Sequence, residues 1–187
     1  MATLFQGDKV RLRAVEATDW EAHYQWNLDS DTGRMTDEVW FPISRAFVQA
    51  WAEREAKRGK EEEAFRFQIE NLAGELVGTI NTHTCNPRCG TFMYGLAILP
   101  DHRRKGYASE AIGLVLRYYF NERRYQKVNA EVFSFNTASI TLHEHLGFIL
   151  EGRLRRMIYT GGLFHDALIY GLTQEEFMAV TWKSLNL

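Results

Sequence analysis

The chain has 187 residues, 45% of them hydrophobic and 25% charged, with a formal net charge of −2. That length can bury a core of its own, and the composition is that of an ordinary globular protein, which excludes fibrous and disordered classes. The slightly acidic balance argues against a general nucleic-acid binder, which needs a basic surface, and no apolar window is long enough to span a bilayer.

In chain order, the opening MATLFQGDKV lacks the apolar region of a secretion signal, so a cytoplasmic protein is expected. Val10, Leu12 and Ala14 alternate with Arg11 and Arg13, which predicts a half-buried strand. Thr18 and Glu21 have capping-box spacing, so a helix is expected from about Asp19, carrying Trp20 and Tyr24 and fading near Asp29. Asp29 to Phe41 is acidic, contains glycine and ends in aromatics, and reads as a loop or short helical turn. Ser44 suits the cap of a second helix with an inward stripe of Phe47, Val48, Trp51 and Ala52, ending by Gly59. Phe65, Phe67 and Ile69 then alternate as a second strand, and Leu76 to His83 reads as a third.

The two cysteines lie in Cys85-Asn86-Pro87-Arg88-Cys89, a turn by its asparagine and proline. His83 is one further ligand type nearby, but no second Cys/His pair has a suitable spacing, so no metal site is expected.

The stretch from Phe92 to Phe120 carries the most information. Phe92 to Leu99 is a continuous apolar run, as in a strand buried on both faces, and Pro100 ends it. His102, Arg103, Arg104 and Lys105 form a basic loop closed by Gly106. From Tyr107 the period becomes helical, with Ala108, Ala111, Ile112, Val115 and Tyr119 on one stripe. Strand, cationic glycine loop and helix together suit a phosphate ligand, because unpaired amides and the positive helix end converge where glycine permits close approach. The loop lacks the Gly-x4-Gly-Lys-Ser/Thr string of a P-loop and the Gly-x-Gly-x-x-Gly of a dinucleotide fold.

Lys127 to Phe133 reads as the strand that follows this helix. Asn136 suits the cap of a short helix to His145, stopped at Leu146-Gly147-Phe148. Two closing strands are expected near Leu154 to Thr160 and Phe164 to Leu172, joined across Gly161-Gly162. A terminal helix capped by Thr173 starts at Gln174. No repeat, linker or low-complexity tract interrupts residues 1–187, so a single α+β domain is expected.

Arg103-Arg104-Lys105-Gly106-Tyr107-Ala108 resembles the Gln/Arg-x-x-Gly-x-Gly/Ala signature of the GCN5-related N-acetyltransferases, the GNAT superfamily. Asn136-Thr137-Ala138-Ser139 followed by His143-Glu144-His145-Leu146-Gly147-Phe148 resembles that family's second pattern, Asn-x-x-Ala/Ser and then Tyr-Glu-Lys-Leu-Gly-Phe. Val10-Arg11-Leu12-Arg13, Glu151-Gly152, Gly162, Asp166 and Tyr170 look like the RimJ/RimL group, which acetylates ribosomal-protein N-termini, and its neighbours the spermidine acetyltransferases.

The resemblance covers nearly the whole chain and implies the GNAT fold, a mixed and mostly antiparallel sheet flanked by helices. It implies acetyl-CoA as cosubstrate and an amine acceptor, either a peptide N-terminus or a small amine such as a polyamine or antibiotic. On this reading the backbone of Leu96, Ala97 and Ile98 meets the pantetheine arm. Arg103, Arg104, Lys105, Gly106, Tyr107, Ala108 and Ser109 hold the pyrophosphate, and Asn136 bonds the pantetheine or thiol region.

The family's tyrosine acid is replaced here by His143, a residue able to act as an acid near neutral pH or to be structural, in which case Ser139 or water takes the role. Glu131 and His83 are the candidate bases. Glu110 is less attractive, because an acidic residue in the first helical turn complements the dipole. Asp29, Asp31, Asp37 and Glu38 are candidates to attract a cationic acceptor, and Trp26, Trp40 and Phe41 to wall its pocket. The missing tyrosine keeps a non-catalytic acyl-CoA sensor open as an alternative, and the resemblance leaves a homodimer open.

Overall fold

The computed structural model describes residues 3–59 and 63–179. The strands are β1 (Val10–Ala14), β2 (Arg66–Asn71), β3 (Leu76–Asn86), β4 (Thr91–Ile98), β5 (Lys127–Phe133), β6 (Ile149–Thr160) and β7 (Leu163–Thr173). The α-helices are α1 (Trp20–Trp26), α2 (Ser30–Thr36), α3 (Arg45–Glu55), α4 (Tyr107–Asn121), α5 (Thr137–His145) and α6 (Gln174–Ala179). The strands form one sheet in the order β1-β2-β3-β4-β5-β7-β6. Every junction is antiparallel except β4 with β5. This is the mixed sheet flanked by helices that the sequence motifs imply.

The apolar spacing of α4 explains how the sheet is covered. Ala111, Ile112, Leu114, Val115, Leu116, Tyr119 and Phe120 are all buried, a face wider than a surface helix needs. Phe92 of β4 stacks on Tyr119 with ring centroids 4.2 Å apart, and Tyr119 Oη meets Thr82 Oγ1 of β3 at 2.6 Å. One contiguous apolar cluster runs from Val10 to Phe177.

Several boundaries differ from the sequence expectation. The first helix is preceded by a 3₁₀ turn at Ala17–Asp19, where Asp19 rather than Thr18 does the capping: its Oδ2 accepts the Glu16 N–H at 2.7 Å. Asp19 is held there by a bidentate pair with Arg13, so an ion pair back to β1 decides where the helix begins. The acidic segment after Asp29 contains a full helix, α2, because Asp29 Oδ1 accepts the N–H groups of Asp31 and Thr32. Phe47 is 61% exposed on α3, so the inward stripe of that helix is Val48 and Ala52, with Trp51 half-buried. β6 starts at Ile149, earlier than its composition suggests, and bulges between Leu154 and Ile158. Asp166 fastens that bulge by accepting from Arg153 Nε and from the Arg156 N–H.

Candidate functional site

β4 and β5 pair over only three positions, Thr91 with Lys127, Phe92 with Val128 and Met93 with Asn129. Beyond Met93, β4 keeps its antiparallel bonds to β3 as far as Ile98, while β5 turns to β7. The sheet therefore splits, and the β5-facing edge of Leu96, Ala97 and Ile98 is left for a ligand to pair with. Gly78 keeps β3 close at this point: a Cβ there would lie 2.3 Å from the Ala97 carbonyl oxygen.

The basic loop crosses the end of this split. Arg104 (φ 65°) and Gly106 (φ 84°) are both left-handed, which turns successive amides the same way and forms an anion-binding nest. Among the described residues, no N–H from Arg104 to Ser109 has a hydrogen-bond partner; the first that does is Glu110, bonded to the Gly106 carbonyl. Gly106, which caps α4 without a side chain of its own, lies among the seven loop residues expected to hold a pyrophosphate, with Tyr107, Ala108 and Ser109 following it in the first turn.

Arg103 is used differently. Its Nε donates to the Ile98 carbonyl at 3.1 Å and its Nη2 to Thr32 Oγ1 at 3.0 Å, so its guanidinium bridges β4 to α2. Its N–H is taken by Pro100. Asn136 is likewise engaged at both ends, with Oδ1 accepting the Ser139 N–H as a helix cap and Nδ2 donating to the Met35 carbonyl at 3.0 Å. α2 is consequently pinned at one end to the basic loop and at the other to the start of α5.

The expected catalytic residues do not converge. Glu131 is exposed on the sheet face away from α4, with His83 on that same face by register. His83 has its pKa lowered, mainly by burial and partly opposed by the Glu131 charge. His143 lies on the other side and is only 5% exposed. Its Nδ1 is 2.7 Å from the Ser139 carbonyl, an acceptor only, so Nδ1 carries the proton and Nε2 accepts from Tyr94 Oη at 2.8 Å. Burial lowers the His143 pKa, and burial raises that of Tyr94 strongly. His143 is thus buried in the core, its Nδ1 proton held by the Ser139 carbonyl and its Nε2 by the Tyr94 hydroxyl. Ser139 Oγ is 3.4 Å from the same ring, at the limit of a hydrogen bond.

Glu110, the less attractive base by sequence, has a structural task. Its carboxylate accepts the N–H groups of Asp8, Lys9 and Val10 at 3.0, 2.8 and 2.6 Å, so it anchors the N-terminal segment to α4. The sequence reading missed this because the partners are a hundred residues away.

On the Glu131 face lies a cavity of about 480 Å³, lined by Arg34 of α2, by Asp37, Glu38 and Val39 after it, by Glu131 and Phe133 of β5, and by Met157 to Gly161 at the β6–β7 turn. Arg34 is paired with Asp31 at 2.7 Å, so the three carboxylates dominate its charge. Trp40 and Phe41, expected to wall such a pocket, are 63% and 92% exposed and do not line it. The closing strands are expected from sequence to carry substrate information, and Met157 to Gly161 are the residues of that hairpin that line it.

The acetyltransferase (GNAT) domain family matches residues 9–149. The chain belongs to that family. Enzymes of this family draw the acetyl group from acetyl-CoA, and the split sheet and the free amide nest of this acetyltransferase fit that molecule in shape and charge.

Among its relatives, the acetyltransferase is 41% identical over 175 residues to the SPbeta prophage-derived uncharacterized N-acetyltransferase YokL of Bacillus subtilis, covering 94% of this chain and 96% of that protein. It is 24% identical over 170 residues to the spermidine N(1)-acetyltransferase of Vibrio cholerae, covering 91% of this chain and 96% of that protein. The crystal structure of the spermidine N-acetyltransferase from Vibrio cholerae in complex with CoA and spermine has a TM-score of 0.80 at 22% identity, covering 90% of this chain and 98% of that one. At that identity the likeness concerns the fold.

Proposed function

We propose that the enzyme acetylates a primary amine on a polycationic small molecule, with linear polyamines as the class that suits its acceptor pocket. The observation that carries this reading is the cavity beside the split strands, where Asp37, Glu38 and Glu131 face a space large enough for an extended amine. Multiply charged amines gain most from such a site, because each carboxylate acts on a different ammonium. The spermidine acetyltransferases among the relatives support the same class.

In the proposed reaction Glu131 accepts a proton from the incoming ammonium, directly or through water, since it is the carboxylate that lies both on the pocket wall and on a strand bordering the split. The free amine attacks the thioester carbonyl, the tetrahedral oxyanion collapses with cleavage of the C–S bond, the attacking nitrogen gives its remaining extra proton to water to become the amide, and the CoA thiolate takes a proton from solvent. Backbone positioning along Leu96 to Ile98 supplies the orientation, so the barrier is lowered mostly by proximity. His143 and Ser139 hold the start of α5 and the Tyr94 ring in place.

A second reading, acetylation of a protein N-terminus as in the RimJ/RimL group, is favoured by the apolar side of the same pocket, where Val39, Met157 and Tyr159 suit a first side chain. Either acceptor places the reaction in the cytoplasm, where acetyl-CoA is made. A homodimer is part of the proposal: β6 is a long edge strand with Ile149, Leu150, Leu154, Met157 and Tyr159 exposed, an edge that isolated proteins seldom leave bare.

The test is thiol release from acetyl-CoA with spermidine, spermine, aminoglycosides, single amino acids and alanine- or serine-starting peptides, with the acetylated product identified by mass. Turnover of polyamines above peptides is the expected result; turnover confined to peptides would replace this reading with the second.

A further inference from the structure

The N-terminal segment reaches the basic loop. Three consecutive N–H groups, those of Asp8, Lys9 and Val10, are gathered by the buried carboxylate of Glu110 in the first turn of α4. This clamp fixes the backbone of Lys9 beside the amide nest, and its side chain continues toward Gly106. A Cβ placed on Gly106 would lie 2.6 Å from Lys9 Nζ and 3.4 Å from its Cδ. The ammonium therefore stands against the residue that caps α4. Among the described residues no carboxylate pairs with Lys9 Nζ; Glu110 spends its oxygens on backbone donors.

We infer that Lys9 is a cation of the cofactor's diphosphate site, supplied by the segment just before β1 rather than by the loop motif, with Glu110 as the residue that positions it. Resting on the acetyl-CoA reading of the cleft, this assignment answers a deficit left by Arg103, whose guanidinium is committed to Ile98 and Thr32. A lysine held by its backbone loses less freedom on binding than one on a free loop, and an ammonium paired to phosphate forms a charge-assisted bond that salt weakens. Gly106 gains a second reason to be glycine: besides its left-handed backbone, any side chain there displaces Lys9.

The experiment is calorimetric titration of CoA and of 3′-dephospho-CoA into the full chain as wild type, Lys9→Met and Lys9→Arg, at low and high salt. Lys9 is exposed, so these variants fold. Lys9→Met is expected to weaken both ligands alike by about fivefold at low salt, with a smaller loss at high salt, while Lys9→Arg stays within about twofold of wild type. Unchanged affinity in Lys9→Met would overturn the assignment, and so would a loss confined to CoA, which would put the lysine on the 3′-phosphate. Failure of the wild type itself to bind CoA would instead refute the cleft reading beneath it.

Discussion

His143 shows how one position can keep a motif's spacing and change its chemistry. It occupies the place of the family tyrosine, yet its Nδ1–H donates to the Ser139 carbonyl and its Nε2 accepts from the Tyr94 hydroxyl. Replacing it with phenylalanine would leave the buried Tyr94 hydroxyl without its partner, at a cost of roughly 1–3 kcal/mol. His143→Phe is therefore expected to lower the midpoint of denaturant unfolding clearly, while kcat measured where the protein is folded stays within about threefold of wild type. A hundredfold fall in kcat with unchanged stability would return the acid role to this histidine. The sequence could not decide this, because the partner, Tyr94, lies 49 positions away, and the apolar run that contains it gives no sign that its hydroxyl is used.

Among the elements, the helices over the acceptor face depend on polar anchors that spacing does not reveal. α1 is fixed to the sheet by His23, whose Nε2 meets the Gln68 amide at 2.7 Å and whose ring packs against Trp26 and Trp51 with centroids 4.5 Å away. Burial, with Arg66 nearby, lowers its pKa from 6.5 to about 4. The unfolded chain then takes up a proton below about pH 6.5 that the folded chain refuses until about pH 4. Stability is fully present above that window and falls as pH drops through it, by an amount on the order of 3 kcal/mol. His143 adds a contribution of the same sign, and the Arg13-paired Asp19 and Glu70, with lowered pKa values, lose theirs at more acidic pH. Urea titrations between pH 7 and pH 4 are expected to show this slope and its marked reduction in His23→Phe; equal slopes would disprove it. The strands and α4 were legible because burial alternates or recurs along them, as at Val10 and Leu12 or Ile112 and Val115. α2 and the 3₁₀ turn were not, since both are set by side-chain caps and by Arg13.

For the molecule as a whole, the parting of β4 from β5 organises everything else. It gives the basic loop and the free β4 edge one common cleft, and it leaves Glu131 at the wall of the acidic cavity on the opposite face. The sequence made the cofactor side legible, because Gly106, its cations and the strand before them are contiguous. The acceptor side was obscure for the opposite reason: Asp37, Glu131 and Tyr159 come together only through the fold. That side carries the central claim, that carboxylates select a polycationic amine. The most direct measurement is kcat/KM for spermidine and for an alanine-starting peptide, in wild type and in the Asp37→Asn/Glu38→Gln double variant. The account predicts that spermidine is the better substrate and that the variant raises its KM about tenfold, with kcat and the peptide rate little changed. A preference for the peptide, or a spermidine KM indifferent to the loss of both charges, would contradict it.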